Sequence, residues 1–182
     1  MQGWLELVFL KFKVNFENLN LNDFLSGDSK TKNEFIDQLG KGFSEIGFIA
    51  IKGHLLDDKT KDELYTEVKS FFNLSDEIKS KYIIKGLASQ RGFTPFGKES
   101  AKGKNIGDLK EFWHFGQYIS ENEIGKYIYF PNIIVEELPE FNKVGEEVYK
   151  TLEKTAKYFI MALALYLDID ENYFYNYINN GN

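Results

Sequence analysis

Few residues in this chain are of types that could do chemistry, and several of them lie between Gln90 and Gly116. This stretch contains Arg91, the single arginine among 22 basic residues, and His114, one of only two histidines. A guanidinium presents a planar fork of five donors that matches a carboxylate, so Arg91 is a candidate for binding an acidic group. The alternative is that Arg91 ties down carbonyl groups of its own loop, and the residue type leaves both roles open.

The residues that follow Arg91 are typical of a loop that encloses a small ligand. Gly92 and Gly97 bracket two aromatic residues around Pro95, and glycine and proline both favour turns. Aromatic side chains supply apolar contact to a bound molecule. The pattern therefore predicts four candidate substrate-loop residues, which are Arg91, Phe93, Thr94 and Phe96. The alternative is that the two phenylalanines only pin this loop to neighbouring helices.

The remaining polar candidates are explained equally well by structure. His54 follows a short apolar run, where a histidine is more often a hydrogen-bonded structural group than a metal ligand. The pairs Glu121/Glu123 and Glu136/Glu137 have the chemistry for acid–base work or metal binding, but a solvated acidic loop accounts for them as well. The chain has no cysteine, which excludes a thiolate nucleophile, a disulfide and a sulfur-ligated metal.

Composition favours a folded protein of one domain without a nucleic-acid or membrane partner. Hydrophobic residues make up 43% of the 182 residues and aromatic residues 16%, enough for a packed core. The net charge of −6, with lysines interspersed among acids, disfavours a nucleic-acid surface. The most apolar run, Tyr158–Leu167, is about half of what a bilayer requires. No secretory signal is visible because Glu6 interrupts the first apolar run, so a cytoplasmic location is expected.

The elements that must position these residues are predicted to be mainly helices, giving an α/β (α+β) fold with a few short strands. Helical spacing and capping residues predict helices from about residue 30, over 58–73, over 75–84 and from about residue 140. Asp168 or Asp170 is expected to cap a last helix, and Gly47 to end the first. Strands are expected near 12–16, 48–52 and 110–116.

Two segments of the Gln90–Gly116 stretch, Arg91–Gly97 and Asp108–His114, resemble the isopenicillin N synthase-like family of non-haem iron(II), mostly 2-oxoglutarate-dependent dioxygenases. Upstream, Asn22–Asp28 and Gly42–His54 are similar to the opening of the same family. The resemblance covers roughly residues 18 to 182. It implies a non-haem dioxygenase N-terminal domain over 18–182, preceded by an N-terminal extension and first strand over 1–17.

The resemblance also implies which chemistry this chain lacks. The family holds iron with two histidines and a carboxylate, the first two ligands reading His-x-Asp. Here the histidines read His54-Leu55-Leu56 and His114-Phe115-Gly116, so neither matches. Arg91 is followed by Gly-Phe and does not match the family's Arg-x-Ser motif for the co-substrate. The jelly-roll core is therefore expected to be missing, with no catalytic residue, metal ligand or cofactor in this chain, while iron(II) and 2-oxoglutarate are implied for a complete member.

Three hypotheses for function remain open. The chain is the N-terminal, substrate-side portion of an oxygenase that oxidises a small organic substrate, completed by a jelly-roll catalytic half. Alternatively, it is a truncated binding or interaction module, or a helical domain that is like the family only in structure. In the family the segment that matches Gln90–Gly97 lies near the mouth of the active site, which implies a substrate role for Arg91. Trp113 and Phe159 are expected to face the missing jelly roll and leave an exposed apolar patch.

Overall fold

The described part of the chain is mainly helical, with one two-stranded sheet. The computed structural model describes residues 19–86, 90–99, 107–118 and 130–178. Its elements in order are α1 (Leu21–Ser26), α2 (Ser29–Glu45), α3 (Asp58–Phe72), α4 (Asp76–Ser80), β1 (Gly92–Thr94), β2 (Phe112–His114), α5 (Pro139–Tyr166) and α6 (Tyr175–Ile178). The predicted mainly helical α/β class is confirmed. None of the helices in these ranges is both long and apolar enough to cross a membrane.

The chain divides into two compact units. The first unit comprises Met1–Leu55 and Leu152–Asn182, and the second comprises Leu56–Thr151. The boundary falls within α5, so each part of this helix is described with its own unit. The predicted strand at 12–16 and the N-terminal extension over 1–17 lie outside the described residues.

In the first unit, the predicted caps fold the chain locally. The Asp28 carboxylate accepts a hydrogen bond of 2.9 Å from Thr31 N, so α2 begins where the capping signal placed it. Gly47 follows the end of α2 with a φ of 88°, a conformation that glycine adopts without strain. The short helix α1 was not predicted. Its first turn is capped by the Asn20 side chain, which accepts from Asn22 N.

The predicted strand at 48–52 is wrong as a strand, because it forms a single β-bridge. Asn20 and Lys52 pair in parallel, through hydrogen bonds from Leu21 N to Lys52 O and from Lys52 N to Leu19 O. The ladder cannot continue since the partner segment enters α1 at Leu21. The core of this unit lies beside the bridge and consists of Leu19, Leu21, Phe24, Phe35, Leu39 and Ala162.

Helix packing in the first unit depends on a glycine. Gly40 on α2 lies directly against the ring of Tyr166, at the end of α5, and a Cβ atom at Gly40 would come within 2.2 Å of that ring. The prediction that Asp168 or Asp170 caps the last helix is wrong, because the Asp170 carboxylate accepts a hydrogen bond of 2.9 Å from Asn172 N within a turn that precedes that helix. The chain then forms turns, and α6 begins only at Tyr175.

In the second unit, capping again sets the helix starts, but tertiary pairing sets one helix end. The Asp57 carboxylate accepts a 2.9 Å hydrogen bond from Thr60 N, and α3 follows as predicted. Helix α4 ends at Ser80, so the prediction of a helix to residue 84 is wrong. The physical reason is that Ile83 pairs with Gly92 in a β-bridge, while Tyr82 O accepts from Phe93 N at 3.0 Å.

The sheet places a strand where a loop was predicted. Strands β1 and β2 pair antiparallel, with Gly92 opposite His114, Phe93 opposite Trp113 and Thr94 opposite Phe112. Strand β2 lies within the predicted 110–116, whereas the three-residue β1 was not predicted and lies in a stretch predicted to be mostly loop. A Cβ atom at Gly92 would lie 2.5 Å from Tyr82 O, so the close approach of residues 82–83 requires glycine here.

An aromatic cluster forms the core of the second unit. The fully buried ring of Phe71 contacts Trp113 at 4.7 Å, Phe141 at 5.2 Å and Phe93 at 5.8 Å between centroids. The expectation that Trp113 faces outward is therefore wrong, because the sheet register directs it into this cluster beside Phe93. Phe159, expected to be exposed as well, is half-buried against the core of the first unit.

Candidate functional site

A pocket of about 390 Å³ lies beside β1, within the second unit. One side is the turn at residues 83–86, and the other is the segment that runs from Arg91 through β1 to Lys98. The Ile83–Gly92 bridge holds the two sides together. The volume lies at the small end of the range for small-molecule sites.

Arg91 lines this pocket and is only partly engaged by the residues that the structure describes. Its Nη1 donates to Gln90 O at 2.7 Å, so the alternative of bonding to loop carbonyls accounts for one of its donors. Its Nε is buried without a hydrogen-bond partner among the described residues. The guanidinium lies flat against Gly116, where a Cβ atom would come within 1.8 Å of Cζ. Arg91 therefore has a buried donor that the described residues leave unsatisfied, and the backbone at Gly116 fixes the position of its guanidinium.

The backbone beneath Arg91 is held by an asparagine. The Asn132 side chain accepts from Gly116 N at 2.7 Å and donates to Gly116 O at 2.8 Å. Both polar groups of the Gly116 backbone are thereby paired with one amide. This double contact fixes the segment after β2 against which Arg91 packs.

Thr94 lines the same pocket and carries a second unpaired group. The residue is 1% exposed, yet its Oγ1 has no hydrogen-bond partner in the described part of the chain. A buried hydroxyl without a partner costs about 1–3 kcal/mol. Such orphaned groups are uncommon in folded proteins and are often retained for function.

The four predicted substrate-loop residues do not all meet. Arg91, Phe93 and Thr94 line the pocket, whereas Phe96 is 59% exposed and does not. Phe93 is 4% exposed and belongs mainly to the aromatic core, which favours the alternative that it pins the segment in place. The substrate role of the four residues stays a prediction.

Sequence reasoning missed two lysines that line the pocket. Lys85 lies in the turn that forms one side, and Lys98 follows β1 on the other. Because lysines are spread along the whole chain, nothing in the local sequence distinguishes these two. Only the pairing of residue 83 with residue 92 brings Lys85 to the segment that carries Arg91, Thr94 and Lys98.

Buried polar contacts stabilise the surroundings of β1. Lys79 is 5% exposed and pairs with Glu111 at 3.0 Å and with Asp76 at 3.1 Å, while its Nζ lies 5.4 Å from the centre of the Phe93 ring. The hydrogen bond to Glu111 raises the pKa of Lys79 and keeps it charged. A second tie joins Tyr82, whose hydroxyl donates to Glu137 and accepts from Glu136 N at 3.0 Å. Burial raises the pKa of Tyr82.

The acidic pairs proposed for acid–base or metal chemistry do not assemble a site in the described residues. Glu137 is engaged by Tyr82 and by Lys81 at 3.4 Å, and that hydrogen bond from Tyr82 lowers the pKa of Glu137. Glu121 and Glu123 lie outside the described residues. Both members of the Glu136/Glu137 pair thus serve the tie to Tyr82.

The described side chains do not fit an iron site. Within the described ranges, no group of three His, Asp or Glu side chains converges as metal ligands. His54 is exposed, and the exposed His114 packs its ring edge-on against Phe112 at 4.8 Å. Neither histidine is therefore assigned to an iron site.

Comparison with known proteins places this geometry in a family. Residues 18–137 match the family described as "non-haem dioxygenase in morphine synthesis N-terminal". The structure resembles a 2OG-Fe(II) oxygenase family protein from Caulobacter crescentus, with a TM-score of 0.76 and 30% identity, covering 90% of this chain and 52% of that one.

Two curated relatives show the same partial overlap. A 1-aminocyclopropane-1-carboxylate oxidase from Dictyostelium discoideum is 28% identical over 90% of this chain and 46% of its own length. A 2-oxoglutarate-dependent dioxygenase, caaD, from Aspergillus niger is 26% identical over 78% of this chain and 45% of its own. The chain thus spans about half the length of the relatives it matches. This chain belongs to the non-haem dioxygenase N-terminal family and corresponds to the N-terminal portion of a 2-oxoglutarate- and iron(II)-dependent oxygenase.

Proposed function

We propose that this chain is the substrate-side scaffold of an oxygenase that oxidises a small organic substrate, and that it is not catalytic alone. The observation that carries the proposal is the uneven overlap with relatives. Similarity extends over 90% of this chain but over only 46% of the Dictyostelium discoideum oxidase.

In this proposal, iron(II) and 2-oxoglutarate are bound by a jelly-roll half that this chain does not contain. The second unit contributes the pocket beside β1, where Arg91 and Thr94 offer donors and Phe93 an apolar wall. The exposed Phe96 extends the segment at its outer end and is available to close over a bound substrate. Arg91, Phe93, Thr94 and Phe96 together form the proposed substrate loop.

The test is reconstitution. The purified chain with iron(II) and 2-oxoglutarate is expected to release no succinate above background. Addition of a jelly-roll half, encoded downstream of Asn182 or by a second gene, is expected to restore substrate-dependent succinate release. Stoichiometric iron binding that His54→Ala or His114→Ala abolishes, with succinate release by the chain alone, would refute the proposal.

The competing function is a non-catalytic binding module derived from the family. No described residue favours it over the scaffold, and the same experiment separates the two. If no encoded jelly-roll half restores turnover, while the chain binds a small molecule in the pocket beside β1, the binding-module function is the correct one.

A further inference from the structure

The pocket beside β1 has an unusual balance of polar groups. Its polar side chains are three cations, Lys85, Arg91 and Lys98, together with the hydroxyl of Thr94. No acidic residue is among its described lining residues, although the chain as a whole carries a net charge of −6. The pocket therefore concentrates positive charge on an otherwise acidic protein, which raises the local concentration of anions.

The charges in this pocket are not neutralised by described neighbours. Lys79 and Lys81 pair with Glu111 and Glu137, respectively. In contrast, neither Lys85 nor Lys98 forms an ion pair with any residue that the structure describes. Arg91 Nε and Thr94 Oγ1 are buried and lack partners there as well. The pocket thus gathers donors and cations without the acceptors that would satisfy them.

The rest of the lining is apolar, and this restricts the kind of anion. Ile83, Ile84, Phe93 and Pro95 form the walls. A bare phosphate would leave these walls without contact, whereas an organic acid has an apolar body to place against them. A carboxylate also matches the guanidinium fork of Arg91 and accepts from the Thr94 hydroxyl.

We propose that the pocket binds the carboxylate of a small organic acid with an apolar body, through Arg91, Thr94, Lys85 and Lys98. The inference rests on the proposed function in one respect, which is that this acid is the substrate or part of it. The binding site itself belongs to this chain and requires neither iron nor 2-oxoglutarate.

The test is a titration of the full chain, followed through its assigned backbone amide resonances. The probe is 3-phenylpropionate, and 3-phenylpropionamide is the neutral control of the same shape. The acid is expected to shift the resonances of Lys85, Arg91 and Thr94 saturably. Since charge-assisted hydrogen bonds are the strong ones, the amide should bind about tenfold more weakly or worse.

Variants locate the binding. Thr94→Val keeps the shape of the side chain but removes its hydroxyl, and it is expected to weaken acid binding by about fivefold to tenfold. Lys98 is exposed, so Lys98→Gln should weaken acid binding without affecting folding. Lys143→Gln, a charge change on α5 outside this pocket, is the matched control and should leave binding unchanged.

The inference is overturned if the acid and the amide bind with equal affinity, or if inorganic phosphate competes as strongly as the acid. It is also overturned if the resonance shifts spread over surface lysines and Lys143→Gln weakens binding as much as Lys98→Gln does. A thermal melt of each variant identifies any that has not folded. If Thr94→Val is unfolded, the affinity of Lys98→Gln for the acid decides whether the pocket is the binding site. Failure here leaves the reconstitution of oxygenase activity unaffected. Failed reconstitution, in turn, leaves acid binding by the isolated chain intact.

Discussion

The two units of this chain differ in the kind of side chain that forms their cores. The first unit buries mostly aliphatic side chains between helices, with Phe24 and Phe35 as its buried aromatic residues. The second buries four aromatic residues among its five core residues, around Phe71. All three buried side-chain atoms that lack partners among the described residues, on Arg91, Thr94 and Trp113, fall in the second unit.

This difference indicates that the first unit serves mainly as a scaffold and that the second unit contains the candidate site. A core with its polar groups satisfied maximises stability, while unsatisfied buried donors reduce it and persist where binding requires them. Flat, rigid aromatic rings hold the short strands β1 and β2 in place, although a two-stranded sheet is marginal by itself. The second unit is therefore less stable than it would be with these donors satisfied, and two of them belong to residues that line the pocket beside β1.

The largest expected effect comes from removing the centre of the aromatic cluster. Phe71→Ala should lower the free energy of unfolding by about 3–5 kcal/mol, because the ring is fully buried. In a Trp4→Phe background, the fluorescence of native Trp113 should also change, since its ring contacts Phe71. The matched change in the first unit, Leu39→Ala, should destabilise the protein but leave native Trp113 emission unaltered. Equal emission changes in both variants would contradict the separation of the two cores.

A smaller effect is expected from overfilling the first unit. Gly40→Ala should cost about 1–3 kcal/mol, since its new methyl group would overlap the Tyr166 ring. This loss runs against helix propensity, because alanine normally favours a helix over glycine by about 0.5–1 kcal/mol. Urea denaturation measures it. In a Tyr166→Leu background the same substitution should be neutral or stabilising, and persistence of the full loss there would show that the ring is not the cause.

Two buried threonines give a matched comparison between the units. Thr155 Oγ1, in the first unit, accepts a hydrogen bond of 3.4 Å from Leu55 N, whereas Thr94 Oγ1 has no described partner. Thr155→Val should therefore destabilise the protein by about 1 kcal/mol, and Thr94→Val should stabilise it by a similar amount. Urea midpoints of the two variants test the opposite signs. Destabilisation by Thr94→Val would mean that its hydroxyl is satisfied within the protein.

The smallest effect concerns acid stability in the second unit. Because the hydrogen bond from Tyr82 lowers the pKa of Glu137, the stability it contributes is present above its ordinary value of 4.5 and lost as the pH falls through the lower folded pKa. Glu137→Gln should flatten the loss of stability below pH 4.5. Thermal melts from pH 6 to 3 measure it. Asp28→Asn, in the first unit, is the comparison and should flatten the acid limb as well, since the backbone hydrogen bond from Thr31 lowers the pKa of Asp28 and asparagine keeps the cap of α2 at neutral pH. An unchanged acid limb in Glu137→Gln would exclude this contact as a source of stability.

Much of the helical framework was predictable, and part of the pocket was. Asp28, Asp57 and Ser75 act on backbone groups three residues away, so their capping roles are visible in the sequence. Arg91 was singled out by its residue type. Lys85 and Lys98 could not be, because they differ from the other lysines only in what lies near them. The end of α4 was predicted too late because Ile83 and Gly92 pair across the intervening turn.

The sequence by itself determined the family, the helix starts and the presence of one arginine among lysines. Family motifs and caps are carried by residues close together in the chain, so they need no knowledge of packing. Only the tertiary structure decided that Trp113 packs beside Phe71, that Lys79 is buried, and that the cations meet an unpaired Thr94 hydroxyl. Burial and strand pairing depend on which segments, distant in the sequence, contact each other in the fold. No local sequence pattern specifies those contacts.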